Sequence, residues 1–419
     1  MKVLLVGGGG REHALGWSLA RSPACDELLC LPGNPGLAEL GATVEGVAPT
    51  DVGAVAALSA AEGVDLAVIG PEAPLAAGVV DALTSMGVTA FGPSRAAARL
   101  EASKSFAKDV MARAGVPTGS FAVFTDAAAA KEHLRRAAGP FVVKADGLAA
   151  GKGVLVTEDL AAAEDWVDRC LTGSFGGEGA SVVVEEHLEG PELSVFAICD
   201  GERALPLQPA RDYKRLADGD EGPNTGGMGS FSPVAGLPEG LVDEVMDRVV
   251  MPTLRQMATD GTPYRGFLYA GLALTTEGPK VIEFNCRLGD PETQAVLPLL
   301  ETDLLGVLAD AAAGRLDPAP LDFSGRAAVN VVLAAGGYPH SPRTGDAISG
   351  LGEVDDPDVL VFHAGTTRDE RGVLRTAGGR VLSVVGLGDD VGEARARAYD
   401  AAGRIRWKQQ RFRTDIAAP

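Results

Sequence analysis

The first hundred residues repeat one pattern, a short run of apolar residues followed by a turn rich in glycine or proline. The clearest runs and their turns are residues 3–6 with 7–10, residues 28–31 with 32–36, and residues 66–69 with 70–72. Runs without polar residues are typical of strands covered on both faces, so the pattern predicts a parallel sheet between helices. Ligands bind at the carboxyl ends of the strands in such sheets, where all three turns lie.

The rest of the chain divides into two further parts. An alanine-rich stretch at 94–114 predicts a helix, which Pro117 helps to end. Strand and helix patterns then alternate as far as residue 315, which predicts an α+β region with antiparallel pairing. The segment 314–325 is rich in glycine and proline and predicts a boundary. Strand patterns return after it, and a helix at 391–404 is predicted to close the chain.

The composition excludes several classes of protein. With 419 residues, 46% of them hydrophobic, the chain can form large cores and is not mainly disordered. The net charge of −20 disfavours nucleic acid and anionic membranes as partners. The five cysteines are scattered, no apolar run approaches the roughly 20 residues that span a bilayer, and the amino terminus lacks a signal-peptide core. We therefore expect a soluble, cytoplasmic protein with reduced thiols and no zinc site.

The glycine run at 7–10 follows a predicted strand and opens a predicted helix, a position that favours an anion. As a dinucleotide fingerprint it is poor, because Glu12 stands where the third glycine belongs and no acidic residue ends the second strand. Phosphate binding without NAD is the preferred interpretation, and a simple tight turn is the alternative. An NAD(P)-dependent oxidoreductase is disfavoured on the same grounds.

The segment 141–154 predicts a strand, a loop of small residues and a returning strand. A loop of glycine and alanine lets backbone amides approach a polyphosphate, to which Lys144 and Lys152 add positive charge. Only nine of the 37 basic residues are lysines, so two of them in one such loop favour a nucleotide site over an ordinary hairpin. The loop is not a Walker A motif.

The strand predicted at 281–285 places Glu283 and Asn285 on one face, roughly 6.6 Å apart along it, and points Phe284 to the core. Carboxylate and amide oxygens at this spacing suit a Mg²⁺ ion that also takes phosphate oxygens. Alone, the pair is more typical of a solvated strand face than of a metal site. The following run, 286–294, concentrates Arg287 and two acidic residues in a loop, where the guanidinium can bind a phosphate or carboxylate.

Three further segments carry a weaker signal. Residues 182–194 predict a strand and turn whose backbone can bind adenine and whose carboxylates can bind ribose hydroxyls. Residues 210–215 are charged, and residues 224–229 are dense enough in glycine to predict a pocket lined by backbone. Neither a Ser/His/Asp triad nor a catalytic cysteine is recognisable.

The motifs ADGLAAGKGV, VEEHLEGPELS, ARDYKR, NTGGMG and VIEFNCRLGDPETQ occur in this order. Together with GGGGREHAL at the amino terminus, the set resembles the glycinamide ribonucleotide synthetase (phosphoribosylamine–glycine ligase) family of the ATP-grasp superfamily. The likeness covers essentially the whole chain, and RLGDPETQ at 287–294 is its most specific part.

The resemblance implies an α/β and α+β multidomain fold. A Rossmann-like parallel sheet is expected at 1–100, an ATP-grasp domain at 101–320 with a lid subdomain at 118–190, and a small strand-rich domain at 325–419. The implied reaction joins glycine to 5-phosphoribosylamine through glycyl phosphate, with ATP as co-substrate and Mg²⁺ or Mn²⁺ as cofactor. We expect a monomer whose partners are these small molecules.

The resemblance also implies roles for the residues at matching positions. The implied metal ligands are Glu283 and Asn285. The implied ATP contacts are Lys104, Lys144, Gly151, Lys152 and Gly153 for the phosphates, and Glu185, Leu188 and Glu192 for adenosine. The implied catalytic residues are Arg287, Asp212 and Asp290. The implied substrate contacts are Gly9, Gly10, Asn34, Gly36, Glu72, Lys214 and Gly229.

Two other functions stay open at this point. Another ATP-grasp carboxylate–amine ligase or carboxylase of purine metabolism would present many of the same residues. A nucleotide sensor without catalysis is the third hypothesis, and the presence of Glu283, Asn285 and Lys144 argues against it.

Overall fold

The apolar runs at the amino terminus form the predicted parallel sheet in a computed structural model, which describes residues 1–148, 153–173 and 181–418. The strand order is β3-β2-β1-β4-β5, and β1 is buried at its centre because helices cover both faces. The elements of this region are β1 (Lys2–Gly7), α1 (Gly10–Ala20), β2 (Glu27–Pro32), β3 (Ala42–Thr43), α2 (Val52–Ala61), β4 (Leu66–Ile69), α3 (Glu72–Ala77), α4 (Val79–Ser85) and β5 (Thr89–Phe91).

The segment predicted as one helix at 94–114 forms two helices, and the second of them begins after an N-capping residue. The Ser103 hydroxyl accepts a hydrogen bond from the Phe106 amide at 3.2 Å, so a new helix starts at Lys104. A four-stranded antiparallel sheet of order β6-β9-β7-β8 follows, with two helices packed on it. These elements are α5 (Arg99–Ala102), α6 (Lys104–Ala114), β6 (Phe121–Phe124), α7 (Ala127–Arg136), β7 (Phe141–Ala145), β8 (Val154–Thr157), α8 (Leu160–Leu171) and β9 (Val182–Glu185).

A second antiparallel sheet, of order β11-β10-β16-β17, forms the floor beneath the lid subdomain. The helical stretch from Leu241 to Thr259 contains one wider turn, a π-helical stretch at Met246–Val250. The elements here are β10 (Glu192–Asp200), β11 (Ala204–Pro206), β12 (Arg211–Asp212), β13 (Arg215–Ala217), β14 (Glu221–Asn224), β15 (Gly229–Ser232), α9 (Leu241–Val245), α10 (Met251–Thr259), β16 (Arg265–Thr275), β17 (Gly278–Asn285), α11 (Thr293–Val296) and α12 (Leu304–Ala312).

The carboxyl-terminal sheet includes two strands from the central part of the chain. Its order is β12-β15-β18-β22-β19, so two strands from before residue 235 complete a sheet whose other strands follow residue 325. The predicted closing helix is present and begins at a capping residue, Asp390, whose side chain accepts from the Glu393 amide. The last elements are β18 (Ala327–Ala334), β19 (Val359–His363), β20 (Thr366–Arg368), β21 (Leu374–Thr376), β22 (Arg380–Gly388) and α13 (Val391–Arg404).

The buried apolar side chains show which parts of the chain share a core. Leu4, Leu268 and Val331, from the amino-terminal, central and carboxyl-terminal parts, belong to one continuous core. The segment 118–190, which was predicted as a lid subdomain and keeps that name below, has a separate core that includes Val143 and Val167. This segment therefore packs as a unit apart from the core that the other three parts share.

The predicted α/β and α+β fold with a strand-rich carboxyl-terminal part is confirmed. Among the described residues, none of the helices combines the length and apolar character needed to cross a membrane.

Candidate active site

Two adjoining cavities occupy the cleft under the lid subdomain, with volumes of about 340 and 320 Å³. The first extends toward the amino-terminal sheet and includes Arg11 and Glu72 in its wall. The second extends along the lid strands toward Leu188 and Glu192. The two share a wall formed by Lys144, Val154, Glu185, Gly226, Ile282, Glu283, Asn285, Arg287 and Asp290. Six of the predicted site residues, including both predicted metal ligands, therefore lie where the cavities join.

Strand β17 presents Glu283 and Asn285 to both cavities, and Phe284 between them is 3% exposed in the core. The pairing of β17 with β16 shifts register at 271/272, which leaves Ile282 as an extra residue. Such a bulge re-aims neighbouring side chains, and here Ile282 and Glu283 both line the cleft. The alternation inferred from the sequence predicted the pair of oxygen donors but not this bulge.

The charges around Glu283 favour its ionised form. Burial alone would raise the pKa of this carboxyl, but Lys144, Lys214 and Lys104 outweigh the effect, and the pKa lies below its ordinary value. In the described ranges there is no group of three or more His, Cys, Asp or Glu side chains able to hold a metal. Two oxygen donors beside a phosphate site suit a Mg²⁺ or Mn²⁺ ion that takes its other ligands from substrate phosphates and water.

Lys144 is 4% exposed and belongs to a buried network that sequence reasoning only partly anticipated. Its ammonium group lies 3.0 Å from Glu185 Oε2 and donates to the Ile282 carbonyl at 3.1 Å. The same Oε2 atom pairs with Lys108 at 2.7 Å, and Lys108 also donates to the Thr118 hydroxyl at 2.7 Å. Lys108 was missed because a single lysine within a helix carries no local signal.

Lys104 and the predicted nucleotide hairpin are linked directly. The Lys104 ammonium donates to the Gly147 carbonyl at 2.9 Å. Asp146 accepts from the Ser105 and Ser181 hydroxyls, the latter at 2.8 Å, which ties the hairpin to the start of α6. Lys104, Gly147 and Gly153 line the first cavity. Two predicted phosphate contacts, Gly151 and Lys152, lie outside the described residues.

The predicted adenosine contacts Glu185, Leu188 and Glu192 line the second cavity, together with the predicted Asp212 and Lys214. Lys214 bridges two carboxylates in its wall, with its ammonium 2.5 Å from Glu192 and 2.9 Å from Asp212. These residues belong to separate motifs in the sequence. In the structure they lie together at one end of the second cavity.

Glu292 also lines the second cavity, although it was not predicted to have a role. It is 3% exposed, and its Oε1 atom lies 3.2 Å from the Ser194 hydroxyl, which in turn lies 2.9 Å from the Tyr269 hydroxyl. Burial, with a contribution from the charge of Asp212, raises the pKa of Glu292 to about 7. A carboxyl of this kind carries its proton through much of the acidic range.

The raised pKa of Glu292 predicts a pH dependence of stability. Between the ordinary value of 4.5 and about 7, the folded chain holds a proton that the unfolded chain has lost. The free energy of unfolding therefore falls as pH rises through this window, and Glu292→Gln should remove that loss.

The comparison to make is urea unfolding of wild type, Glu292→Gln and an exposed control, Glu301→Gln, at pH 5 and pH 8. We expect wild type to lose on the order of 1–3 kcal/mol relative to Glu292→Gln between the two pH values. Equal pH dependence in all three proteins would contradict the assignment.

Arg287 lies in the wall shared by the two cavities and is held by two carboxylates. Its Nε atom is 3.3 Å from Glu72, and Nη2 is 3.0 Å from Glu101. Burial would raise the pKa of Glu72, but Arg287 and Arg11 lower it more, so this carboxyl is held ionised. Glu72, a predicted substrate contact on the amino-terminal sheet, is thus brought against the loop at 287–294.

Asp290 is fixed from two sides. Its Oδ2 atom pairs with Arg380 at 2.9 Å, and its Oδ1 atom accepts from the Gln294 amide at 2.8 Å. Burial opposes ionisation, but Arg380 and Arg11 lower the pKa of Asp290 below its usual value. Arg380 comes from the carboxyl-terminal sheet, and no motif in the sequence pointed to it.

The glycine run at residues 7–10 packs around the side chain of Glu12, which follows it closely in the sequence. The Gly9 amide donates to Glu12 Oε2 at 2.7 Å, and a Cβ at Gly7, whose φ is +130°, would lie 2.3 Å from the same side chain. Glu12 therefore takes one backbone donor of the glycine turn and packs closely against it.

The other predicted contacts of this region lie beside the loop at 287–294 or pack against the carboxyl-terminal part. A Cβ at Gly9 would lie 3.7 Å from Asp290, and one at Gly10 would lie 2.7 Å from the Gln294 amide nitrogen. Asn34 donates to the His363 and Gly8 carbonyls at 2.8 and 2.9 Å, so its amide group is already engaged.

Two further predicted glycines are explained by close packing. A Cβ at Gly36 would lie 2.0 Å from the His13 ring. Gly229 lies in β15, where a Cβ would come within 2.6 Å of the Asn330 carbonyl oxygen. Both positions require glycine for steric reasons alone, so their contact with a substrate stays a prediction.

The wall of the first cavity is not acidic, although the chain as a whole is strongly acidic. Among the described residues that line it, six basic side chains face five carboxyl groups. Burial raises the pKa of one of these carboxyls, Glu101, despite Arg287 beside it, and burial lowers the pKa of Lys104 and Lys108. The basic residues are Arg11, Lys104, Lys108, Lys144, Arg287 and Arg380. A local excess of positive charge of this kind favours binding of phosphate groups.

Three family models match the chain. They describe the N domain, the ATP-grasp (A) domain and the C domain of phosphoribosylglycinamide synthetase, and they match residues 1–101, 102–293 and 328–419 respectively. Together the three matches extend over most of the chain in the order in which the domains are named.

Curated proteins and solved structures agree with the family models. The phosphoribosylamine–glycine ligase of Streptomyces coelicolor is 54% identical to this chain, over 100% of this chain and 99% of its own length. That of Leifsonia xyli is 52% identical over the full length of both. A crystal structure of phosphoribosylamine–glycine ligase from Thermotoga maritima matches with a TM-score of 0.86 and 35% identity, covering 99% of this chain and 100% of that one. The chain therefore belongs to the phosphoribosylglycinamide synthetase family.

Proposed function

We propose that this chain joins glycine to 5-phosphoribosylamine at the expense of ATP, giving glycinamide ribonucleotide, ADP and phosphate. The observation that carries the proposal is the wall containing Glu283, Asn285 and Arg287, which is common to two cavities of similar size. A reaction that first activates a carboxylate with a nucleotide and then delivers it to a second substrate needs two adjoining sites with one set of charged groups between them.

The nucleotide is proposed to lie along the second cavity, with adenosine near Leu188 and Glu192. The phosphates are proposed to extend toward Lys144 and Lys104, past Gly147 and Gly153 of the hairpin, which line the first cavity. Glu283 and Asn285 are proposed to hold Mg²⁺ or Mn²⁺, which supplies charge neutralisation to the phosphates when bound. We propose that the metal ligands and the phosphate contacts act together, because both sets of residues adjoin the wall that the two cavities share.

Glycine is proposed to lie between the end of the second cavity and the shared wall. Asp212 and Glu292 supply carboxyl oxygens suited to its ammonium group, and Arg287 supplies a guanidinium suited to its carboxylate. This orientation would direct a carboxylate oxygen toward the terminal phosphate of ATP. Lys214, fixed between Glu192 and Asp212, holds that end of the cavity in place.

The two chemical steps then depend on the positions of the reactants and on neutralisation of their charges more than on a nucleophilic side chain. A glycine carboxylate oxygen attacks the γ-phosphorus, the bond to the bridging oxygen of ADP breaks, and glycyl phosphate forms. The amine of phosphoribosylamine attacks the carbonyl carbon, the carbon–oxygen bond to phosphate breaks, and the amine loses a proton. Arg287 and Asp290 face both cavities, so they are proposed to stabilise and orient the group that passes between them.

The first cavity is proposed to receive phosphoribosylamine. Its excess of basic side chains suits a phosphorylated sugar, and Glu72 offers a carboxylate to hydroxyl or amine groups. The turns that carry Gly9, Gly10, Asn34 and Gly36 adjoin this side of the cleft, and we propose them as the ribose-phosphate side of the site. Phosphate release would then leave the product between the two cavities.

The decisive test is an amine and acid screen that follows ADP formation by the purified chain. We expect ADP release only when glycine and freshly generated phosphoribosylamine are both present, with Mg²⁺ or Mn²⁺ in the buffer. Controls omit glycine, or replace phosphoribosylamine with ribose 5-phosphate in a buffer without ammonia. ADP release that depends on bicarbonate instead of glycine would overturn the proposal in favour of a carboxylase.

A further inference from the structure

Arg380, the first residue of β22, extends from the carboxyl-terminal sheet into the wall of the first cavity. Its Nη1 atom donates to the Gly226 carbonyl at 2.5 Å and to the Asp290 carbonyl at 2.6 Å. Its Nη2 atom pairs with the Asp290 carboxylate at 2.9 Å. One guanidinium thus holds two separate loops of the cleft, neither of which belongs to its own part of the chain.

The two loops that Arg380 joins also pack on each other without room for side chains. A Cβ at Gly227, whose φ is +108°, would lie 2.3 Å from Pro291, and one at Gly226 would lie 3.1 Å from the Arg380 guanidinium carbon. The glycine-dense segment 224–229 is therefore a surface fitted to Arg380 and to the loop at 287–294. The Gly226 amide also donates to the Tyr338 hydroxyl at 2.9 Å, so the carboxyl-terminal part holds this segment at two points.

The geometry requires arginine and not merely a positive charge. Three acceptors, two carbonyls and one carboxylate oxygen, are reached by two nitrogens of a planar fork. The lysine ammonium is a single point charge that cannot cover all three acceptors from one place. The Asp290 carboxylate keeps only the Gln294 amide as a second described hydrogen-bond donor.

We propose that Arg380 is a positioning residue through which the carboxyl-terminal sheet sets the orientation of Asp290 and of the Gly226 loop for the transfer step. The inference rests on the proposed function, because it assigns Asp290 to the wall that both substrates face. Arg380 acts through Asp290, and its loss misplaces that carboxylate while leaving the nucleotide contacts of Lys144 and Leu188 in place.

The test compares Arg380→Met and Arg380→Lys with a matched control, Arg375→Met. Arg375 belongs to the same carboxyl-terminal part and pairs with Asp369 at 2.7 Å, away from both cavities. We expect Arg380→Met to lower kcat by about 100-fold, the cost typical of a small misplacement of reacting groups, with KM for ATP changed less than twofold. Arg380→Lys should recover part of kcat, and Arg375→Met should match wild type.

A double-mutant cycle shows whether Arg380 acts through Asp290. If it does, Arg380→Met combined with Asp290→Asn should be no slower than the slower single variant. Additive losses, or a rise in KM for ATP equal to the fall in kcat, would overturn the inference and indicate general loss of structure.

Hydrogen exchange separates this inference from the proposed function, because it needs no substrate. Segments 224–229 and 287–294 should exchange faster in Arg380→Met than in wild type, and should not do so in Arg375→Met. Unchanged exchange in both segments overturns the positioning role whatever the enzyme assay gives. A wild-type chain that releases no ADP with glycine and phosphoribosylamine overturns the proposed function, while the exchange result still decides the role of Arg380.

Discussion

Glu283→Gln is expected to lower kcat by about 1,000-fold while the chain still folds. The substitution keeps the size of the side chain but replaces the carboxylate that we propose as a metal ligand with an amide, facing Lys144, Lys214 and Lys104. Those lysines lower the pKa of Glu283, so the wild-type group is ionised and available to a divalent cation. Loss of the cation removes charge neutralisation from the transferring phosphate, which accounts for the size of the effect.

The matched control for this variant is Glu277→Gln on the same hairpin. Glu277 is largely exposed and pairs with Lys280 at 2.7 Å, outside the cleft. Electron paramagnetic resonance with Mn²⁺ and ATP measures the metal directly, and binding should weaken in Glu283→Gln but not in the control. Full activity in Glu283→Gln, or unchanged Mn²⁺ binding, would remove this residue from the metal site.

Lys144→Met is expected to raise KM for ATP by about 10–100-fold and to leave KM for glycine nearly unchanged. The ammonium group is buried in the wall shared by the two cavities, where one charge-assisted hydrogen bond to a phosphate is worth much more than at the surface. Methionine fills the same space. Glu185 keeps its 2.7 Å contact with Lys108, so the substitution does not leave this buried carboxylate without a cationic partner.

The control for the second variant is Lys131→Met, which removes a cation from the outer surface of the same lid subdomain. Lys131 pairs with Asp168 at 2.6 Å between two lid helices. Titration of ATP by calorimetry, together with KM for both substrates, checks the expectation. A selective defect in glycine binding in Lys144→Met would show that the lysine belongs to the other substrate.

The parts of the fold that rest on local pattern were predictable from the sequence. Unbroken apolar runs predicted the parallel sheet because burial on both faces excludes polar residues. The helix at 391–404 was predictable from its periodicity, and the structure adds that Asp390 caps it. The family and the reaction class followed from motifs whose order and content are specific, above all the run at 287–294.

Features that depend on contacts between distant segments could not be predicted in this way. Strands β12 and β15 complete the carboxyl-terminal sheet, a pairing that no local pattern specifies. The bulge at Ile282 arises from register with β16, and alternation within one strand does not reveal it. Lys108 and Arg380 enter the cleft from a helix and from a distant sheet, so neither lies in a recognisable motif.

Two of the glycines predicted as substrate contacts can be explained in two ways, by contact with a substrate or by close packing. Gly229 and Gly36 are required by packing against Asn330 and His13, so the absence of a side chain there does not by itself indicate a substrate. By contrast, Glu283 and Arg287 line one wall together with Lys144, which comes from a separate strand, β7. Charged groups collected from several elements are the stronger indication of chemistry.

The central claim is that glycine is activated by transfer of phosphate to its own carboxylate, and oxygen labelling tests it most directly. Glycine carrying ¹⁸O in both carboxyl positions is incubated with the chain, ATP, Mg²⁺ and freshly generated phosphoribosylamine. The account predicts that each phosphate released contains one ¹⁸O atom from glycine, in an amount equal to the ADP formed. Release of ADP with unlabelled phosphate would contradict it.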